Sequence, residues 1–305
     1  MDQLVLKLGG YQGAKSVHTR AAVRFGEVLE RETGGRVGFE LIPDVIAIGR
    51  RSGDLPTMVE AGELALCYIA TVRFSHDVPE LRMFELPFVV RDREATMNAL
   101  DGALGERLSE SMQARTPYRA LGFWDNGFRH FTNKVRPIRT PADCKGLRIR
   151  TQLSDLLGES MSALGFVPVP TDIKEFLERI AGNRFDAQEN PLTNTYNFGM
   201  HKHHRYITMS GHFFGASAFV CNKVQYAAWP REVQQAVETA AREATALQHK
   251  LAAEEDDEIL AKIDPKENEI IRLTPAERAA FVKAVEPVLE RHRKDLDPRL
   301  FDYLR

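Results

Sequence analysis

The opening of the chain alternates between short apolar runs and amphipathic stretches, and this alternation restricts the fold more than any other feature. Leu4-Val5-Leu6-Lys7-Leu8 reads as a buried strand, and a helix follows to about Glu32. Thr33-Gly34-Gly35 stops that helix, because glycine readily takes the left-handed cap. Val37 to Ile42 is a second strand ending at Pro43, Leu55 to Ala61 a helix closed by Gly62, and Leu64 to Ile69 a third strand. Strand, helix and strand in succession imply an α/β fold: a parallel sheet covered by helices, with ligands outside the carboxyl ends of its strands. Loops leaving those ends face a cleft. Tyr11 and Lys15 after the first strand, and Arg73 after the third, are therefore candidate ligand contacts.

The middle of the chain carries the chemistry. Arg93 to Ser111 reads as one amphipathic helix, and Ala120 to Trp124 as the strand that leaves a first lobe. From Trp124 to Arg150 the pattern is strand, turn, strand. Thr140-Pro141-Ala142-Asp143-Cys144-Lys145-Gly146 is a Pro-started turn closed by Gly. In Leu147-Arg148-Ile149-Arg150, alternation puts both arginines on one face, and position along the run decides which of them faces a cleft. A guanidinium fixed at a strand end offers a planar fork that fits a carboxylate bidentately. Ser154 to Leu164 is helical. Gly165 to Pro170 is extended, since proline disfavours helix at and just before itself. Asp172 caps a helix from Ile173 to Ala181. Arg184 to Ala187 is a strand that delivers Gln188, Glu189 and Asn190 into a loop fixed by Pro191. His212 to Cys221 reads as a buried strand returning to the first lobe. Arg231 to about Ile263 is a helix long enough to span two lobes. Thr274-Pro275-Ala276-Glu277 is a capping box that starts the terminal helix.

At 305 residues the chain exceeds a single core. Its formal net charge of -2 excludes a phosphate-binding surface for nucleic acid. No apolar run approaches the roughly 18 residues of a membrane span. Cys67, Cys144 and Cys221 have neither metal nor redox spacing and read as small buried hydrophobes, with pairing of two of them left open. His201-Lys202-His203-His204 could ligate zinc, but adjacent side chains diverge and no upstream Cys or His completes a site. No metal or cofactor is expected. Gly9 to Ser16 comes one residue short of a phosphate-cradling loop, with Ala14 where the second glycine belongs. Gly215-Ala216-Ser217-Ala218-Phe219 fails the nucleophile-elbow pattern at its last residue.

Five segments carry a family pattern in order. They are Thr33 to Val37, Pro79-Glu80-Leu81 with Leu86-Pro87-Phe88, Gly127-Phe128-Arg129, Asp143 to Arg150, and Phe185-Asp186-Ala187-Gln188-Glu189-Asn190-Pro191. Over nearly its whole length the chain resembles the substrate-binding proteins of tripartite ATP-independent periplasmic (TRAP) transporters. The resemblance implies a two-lobed periplasmic-binding-protein-like fold, each lobe a mixed, mostly parallel sheet flanked by helices, with the long helix spanning both. Lobe I is expected over 1–125 plus 213–253 and lobe II over 126–212 plus 254–305, with the ligand cleft between them. The resemblance assigns the principal carboxylate contact to Arg150 and places Arg129 and Asn190 in the cleft. Phe213, with Phe214, Phe74 and Tyr11, suggests a partly aromatic pocket. The implied function is capture of a small organic acid outside the cytoplasm, closure about a hinge, and delivery to the TRAP membrane subunits. A monomer without catalytic activity is expected, periplasmic in its mature form, with an initiating Met standing where a leader was removed. The alternatives are an α/β enzyme acting on a carboxylate substrate, or a nucleotide-binding protein using Gly9 to Ser16.

Overall fold

Strand β1 (Val5–Gly9) buries Leu6 and Leu8 and turns Val5 and Lys7 outward, the two-residue period of a half-covered strand. It lies parallel to β2 (Gly38–Ile42) and to β3 (Leu66–Ala70). Every residue of β3 is buried, as expected of a central strand covered on both faces. The connecting helix Val17–Thr33 starts where the Ser16 side chain accepts from the Thr19 amide and ends at Gly34 in the left-handed conformation. The computed structural model describes residues 3–304.

The remaining strands are β4 (Tyr118–Asn133), β5 (Arg148–Thr151), β6 (Val167–Pro170), β7 (Ala187–Pro191), β8 (Tyr206–Asn222) and β9 (Glu269–Arg272). Two compact units emerge. The first takes residues up to Val78, Met97–Asp125 and Ala216–Glu255; the second takes Pro79–Thr96, Asn126–Gly215 and the chain from Asp256 on. Strands β4 and β8 and the helix Arg231–Lys262 contribute residues to both. In the first unit the order is β2-β1-β3-β8, the first three parallel and β8 antiparallel to β3. The second unit repeats the plan. It runs β4-β7-β5-β6, with β5, β6 and β7 parallel, β4 antiparallel to β7, and β9 alongside β8.

Each unit has its own aromatic core. In the first, Trp124 stacks on Phe219 at 4.8 Å, with Tyr68 5.2 Å away and Phe25 edge-on to Phe219 at 5.4 Å. Three side chains of the long helix fasten this end of β4. Thr245 accepts from the Trp124 indole, Gln248 bonds both the amide and the carbonyl of Asp125, and His249 meets the Phe123 carbonyl. In the second unit Phe131 gathers Phe166, His212 and Phe281.

Several expectations change. Residues 79–96 pack in the second unit and not with 1–78. The Phe88 amide donates to the His212 carbonyl, Ser154 bonds Glu85, and Arg93 pairs with Asp256. Arg93 to Ser111 is two helices, Arg93–Asp101 and Ala103–Arg115, because Gly102 adopts a non-helical conformation. The strand, turn and strand expected from Trp124 to Arg150 are present as β4, the turn at 140–146 and β5, but the strand expected over Ala120 to Trp124 is longer, one continuous β4 whose Gly127 takes φ 84°, a conformation costly for other residues. Gln188, Glu189 and Asn190 lie within β7, not in a loop after it. Phe185 and Asp186 precede the ladder, whose register with β4 begins at Ala187. The three cysteines are free and buried. Cys67 is opposite Val220 and Cys221 opposite Leu66, so the two thiols leave opposite faces of their strands.

Candidate functional site

In the second unit the carboxyl ends of three parallel strands meet. Arg150 stands one residue before the end of β5, Asn190 one before the end of β7, and Thr171 directly after β6. The ladder puts Arg150 opposite Gln188, and Gln188 opposite Thr132 of β4. Paired residues in a ladder share a face, so Arg150, Gln188 and Thr132 project the same way.

Arg150 is 2 % exposed, and Arg129 3 %. The Nε of Arg150 donates to the Thr171 carbonyl at 2.8 Å, and its guanidinium carbon lies 5.8 Å from the centre of the Phe176 ring. One main-chain acceptor and one aromatic face thus fix the plane of the fork. Arg148, two residues earlier, spends its fork on Asp186, with Nε–Oδ2 and Nη2–Oδ1 both 2.8 Å. That pair is half exposed. Of the two arginines, Arg150 is the one buried at the strand's carboxyl end.

Arg129 on β4 is engaged differently. Its Nε bonds Oε2 of Glu189, and its Nη2 donates to Oε1 at 2.9 Å, to the Glu189 carbonyl at 2.8 Å and to Oδ1 of Asn190 at 3.3 Å. Burial alone would raise the Glu189 carboxyl, but the Arg129 charge and His212 outweigh it and hold the group at about 2. Asn190 passes the connection on. Its Nδ2 donates to Oε1 of Gln188 at 2.5 Å, and its Oδ1 also accepts from Asn194 at 3.2 Å. Gln188 in turn donates to Thr132 at 2.7 Å. Arg129, Asn190 and Gln188 therefore form one hydrogen-bonded series across β4 and β7, and Arg150 is the ladder partner of its last member.

Phe213 is buried, its ring 4.8 Å from the His212 imidazole. His130, next to Arg129, accepts the Gly211 amide on Nδ1 at 3.0 Å; burial above all, then His212 and nearby arginines, push it down to about 3. The first unit presents the corresponding strand ends separately. Tyr11 follows β1, bridges to Asp44 beyond β2, and lies 5.9 Å from the Tyr68 ring. Arg73 follows β3, half-buried, with its guanidinium against Gly53. Tyr11 and Arg73 thus sit on different neighbours within that unit. Lys15 is exposed.

The degenerate phosphate loop is closed on itself. Ser16 Oγ donates to the Gly13 carbonyl, Thr19 Oγ1 does the same at 2.7 Å, and Ser16 caps the helix. The histidine patch is dispersed: His201 stacks on Tyr196 at 4.7 Å, while His204 faces Thr132 at 2.8 Å. Among the described residues, no group of three or more His, Cys, Asp or Glu is placed to hold a metal ion, and no helix is long and apolar enough to cross a membrane.

Glu189, His212 and Thr171 are the participants that reading the sequence left without a fixed role. Recognising 187–191 as strand would have exposed Glu189, because it and Arg129 are diagonal neighbours across the β4–β7 ladder. Thr171 contributes only its main chain, which leaves no side-chain signal to find.

Residues 8–295 match the family model described as bacterial extracellular solute-binding protein, family 7. Among curated relatives, the 2,3-diketo-L-gulonate-binding periplasmic protein YiaO of Escherichia coli is 29% identical over 87% of this chain and 79% of its own. The C4-dicarboxylate-binding periplasmic protein DctP of Rhodobacter capsulatus is 28% identical over 94% of this chain and 86% of its own. Among solved structures, a TRAP periplasmic solute binding protein from Sulfurospirillum deleyianum with bound succinate superposes with a TM-score of 0.93 and 26% identity, covering 100% of this chain and 99% of that one.

Proposed function

Because the chain belongs to the bacterial extracellular solute-binding proteins of family 7, with the two-lobed α/β fold of TRAP periplasmic solute-binding proteins, we propose that it captures a small organic acid outside the cytoplasm for a TRAP transporter. Relatives named for 2,3-diketo-L-gulonate and for C4-dicarboxylates, and a structural neighbour holding succinate, support a carboxylate as the chemical class. The observation that carries this reading is the buried Arg150 at the carboxyl end of β5, oriented by the Thr171 carbonyl and the Phe176 ring.

In this account Arg150 takes the carboxylate with its fork. Arg129 adds a second donor, Asn190 orients a neighbouring oxygen, and Phe213 supplies an apolar wall. Tyr11 and Arg73 are the first unit's contributions to solute recognition. Excluding water around the pair strengthens each charge-assisted bond, and a solute that binds one conformation better shifts the population towards it. The protein binds and releases its solute without chemistry, as a monomer, in the periplasm. Its partners are the TRAP membrane subunits.

A thermal-shift screen against organic acids tests the class. A ligand at a hundred times its Kd adds about 2.7 kcal/mol of stability, so a cognate acid raises Tm by several degrees. Recovery of that acid unchanged after prolonged incubation is expected. Conversion of it, or stabilisation by nucleotides with none by any acid, contradicts the proposal.

A further inference from the structure

We propose that the second unit carries a further anion site, between the terminal helix and the segment 88–92, that takes a small carboxylate with an apolar body, an aryl or medium-chain acid. In the helix Pro275–Arg293, Arg278, Leu289 and Arg293 share one face, because their spacings are close to whole turns. A cavity of about 480 Å³ opens there, within the size range of small-molecule sites. Phe88, Leu289, Phe301 and Leu304 give it an apolar lining, and Arg91 and Arg293 add charge. None of these six belongs to the group around Arg150, Arg129 and Asn190.

Two of the cations are fixed over aromatic rings. The Arg293 guanidinium carbon lies 4.4 Å from the centre of the Phe301 ring. That of Arg278 lies 4.8 Å from the Phe88 ring, and its Nη1 donates to the Ser210 carbonyl at 2.8 Å. Nearby arginines are neutralised: Arg93 pairs with Asp256, and Arg291 with Glu159. Among the described residues, Arg91, Arg278 and Arg293 form no ion pair. Burial, and then the Arg91 charge, hold the Arg278 guanidinium below its usual range, so these two cations act on one another. Asp92 is the acidic residue of the lining, and its Oδ1 already accepts the Ala95 amide. Three arginines against one aspartate leave two positive charges in excess, on a chain whose net charge is -2. A concave surface lined by one sign of charge concentrates the opposite ion. Phe88, which walls the cavity, takes φ 59°, a costly conformation for a bulky residue, and its amide donates to the His212 carbonyl at 2.8 Å. Solvation accounts for a single exposed arginine. Three gathered around an apolar cavity fit a carboxylate gripped at the rim, with its ring or chain covering Leu289 and Leu304.

NMR titration of the full chain with phenylacetate and with octanoate tests the site. At least one acid is expected to bind with Kd of about 1 mM or tighter, shifting amide signals of 88–92 and 289–304. Arg91→Gln and Arg293→Gln are each expected to weaken that binding about fivefold or more, and Leu289→Glu, which places a carboxylate in the cavity, to abolish it. Arg150→Ala is expected to leave it within about twofold. Phenylacetamide and inorganic sulfate, which lack the charge and the apolar body respectively, are expected to bind about tenfold more weakly or worse. No binding of either acid at about 10 mM overturns the proposal. So does binding that vanishes in Arg150→Ala and survives both arginine variants, which puts the acid in the solute site and leaves that reading standing. Amide or sulfate binding as tight as the acid overturns the assigned class. Arg91 and Arg293 are exposed, so their variants carry the test should Leu289→Glu not fold.

Discussion

Replacing Arg150 with alanine is the perturbation whose size the geometry sets most clearly. The side chain is buried, its Nε donating to a main-chain oxygen and its guanidinium near the Phe176 ring. A charge-assisted hydrogen bond contributes roughly 1.5–3 kcal/mol, so a bidentate grip supplies a large share of the about 8 kcal/mol that micromolar binding requires. Truncation does more than delete that grip, because it strands a desolvated carboxylate without its partner. Breaking one side of a buried pair costs about 3–5 kcal/mol. At roughly 1.4 kcal/mol per tenfold, Kd rises about 150- to 5000-fold. Arg150→Lys keeps the charge but loses the planar fork and the Nε donor to Thr171. It is expected to weaken binding by one to two orders of magnitude, about 1.4–2.8 kcal/mol. Isothermal titration of each variant against an acid found by thermal shift reads both numbers, with circular dichroism and Tm confirming a folded protein. An alanine variant within about threefold of the parent refutes the reasoning, and a lysine variant equal to the parent refutes the fork.

Stability is expected to fall in acid. His18, His130 and His204 are each pushed to about 3, chiefly by burial, whereas the unfolded chain binds those protons near 6.5. Unfolding therefore takes up protons between about 6.5 and 3, and stability declines across that window by at most about 1.4 kcal/mol per pH unit for each histidine; urea midpoints that match at pH 7 and 5 contradict this. Gly10→Ala is expected to destabilise by about 1–3 kcal/mol, because a Cβ there would stand 2.4 Å from the Tyr68 hydroxyl; denaturant titration within a few tenths of the parent contradicts it. Gln248→Ala leaves the Asp125 amide and carbonyl without their side-chain partner and is expected to cost about 2–4 kcal/mol. Unchanged amide exchange at Asp125 counts against that assignment.

The strand-and-helix alternation of the first seventy residues was legible because its periods are clean and its stops are glycines. Asp172 and Thr274 cap the helices that their side chains announced. The placement of 187–191 was less legible. Gln, Glu and Asn are poor strand formers, and they enter a strand here because Thr132 and Arg129 on the neighbouring β4 satisfy their side chains. Local propensity carries no information about such partners. Residues 79–96 were misplaced for a similar reason: their packing rests on Phe88 at φ 59° and on long-range bonds to His212 and Asp256. Of the candidate site, Arg150 and Asn190 were proposed through the family pattern. The distinct state of Arg129, closed onto Glu189, needed coordinates, since nothing in the order Gly127-Phe128-Arg129 tells a donor offered to solute from one already spent.

A crystal structure of the protein grown with a bound organic acid bears on the central claim most directly. Two parallel nitrogen–oxygen contacts of about 2.7–2.9 Å between the Arg150 guanidinium and the solute carboxylate are the expected result. A solute lodged away from the end of β5, with Arg150 bonded only to its own chain, contradicts the account.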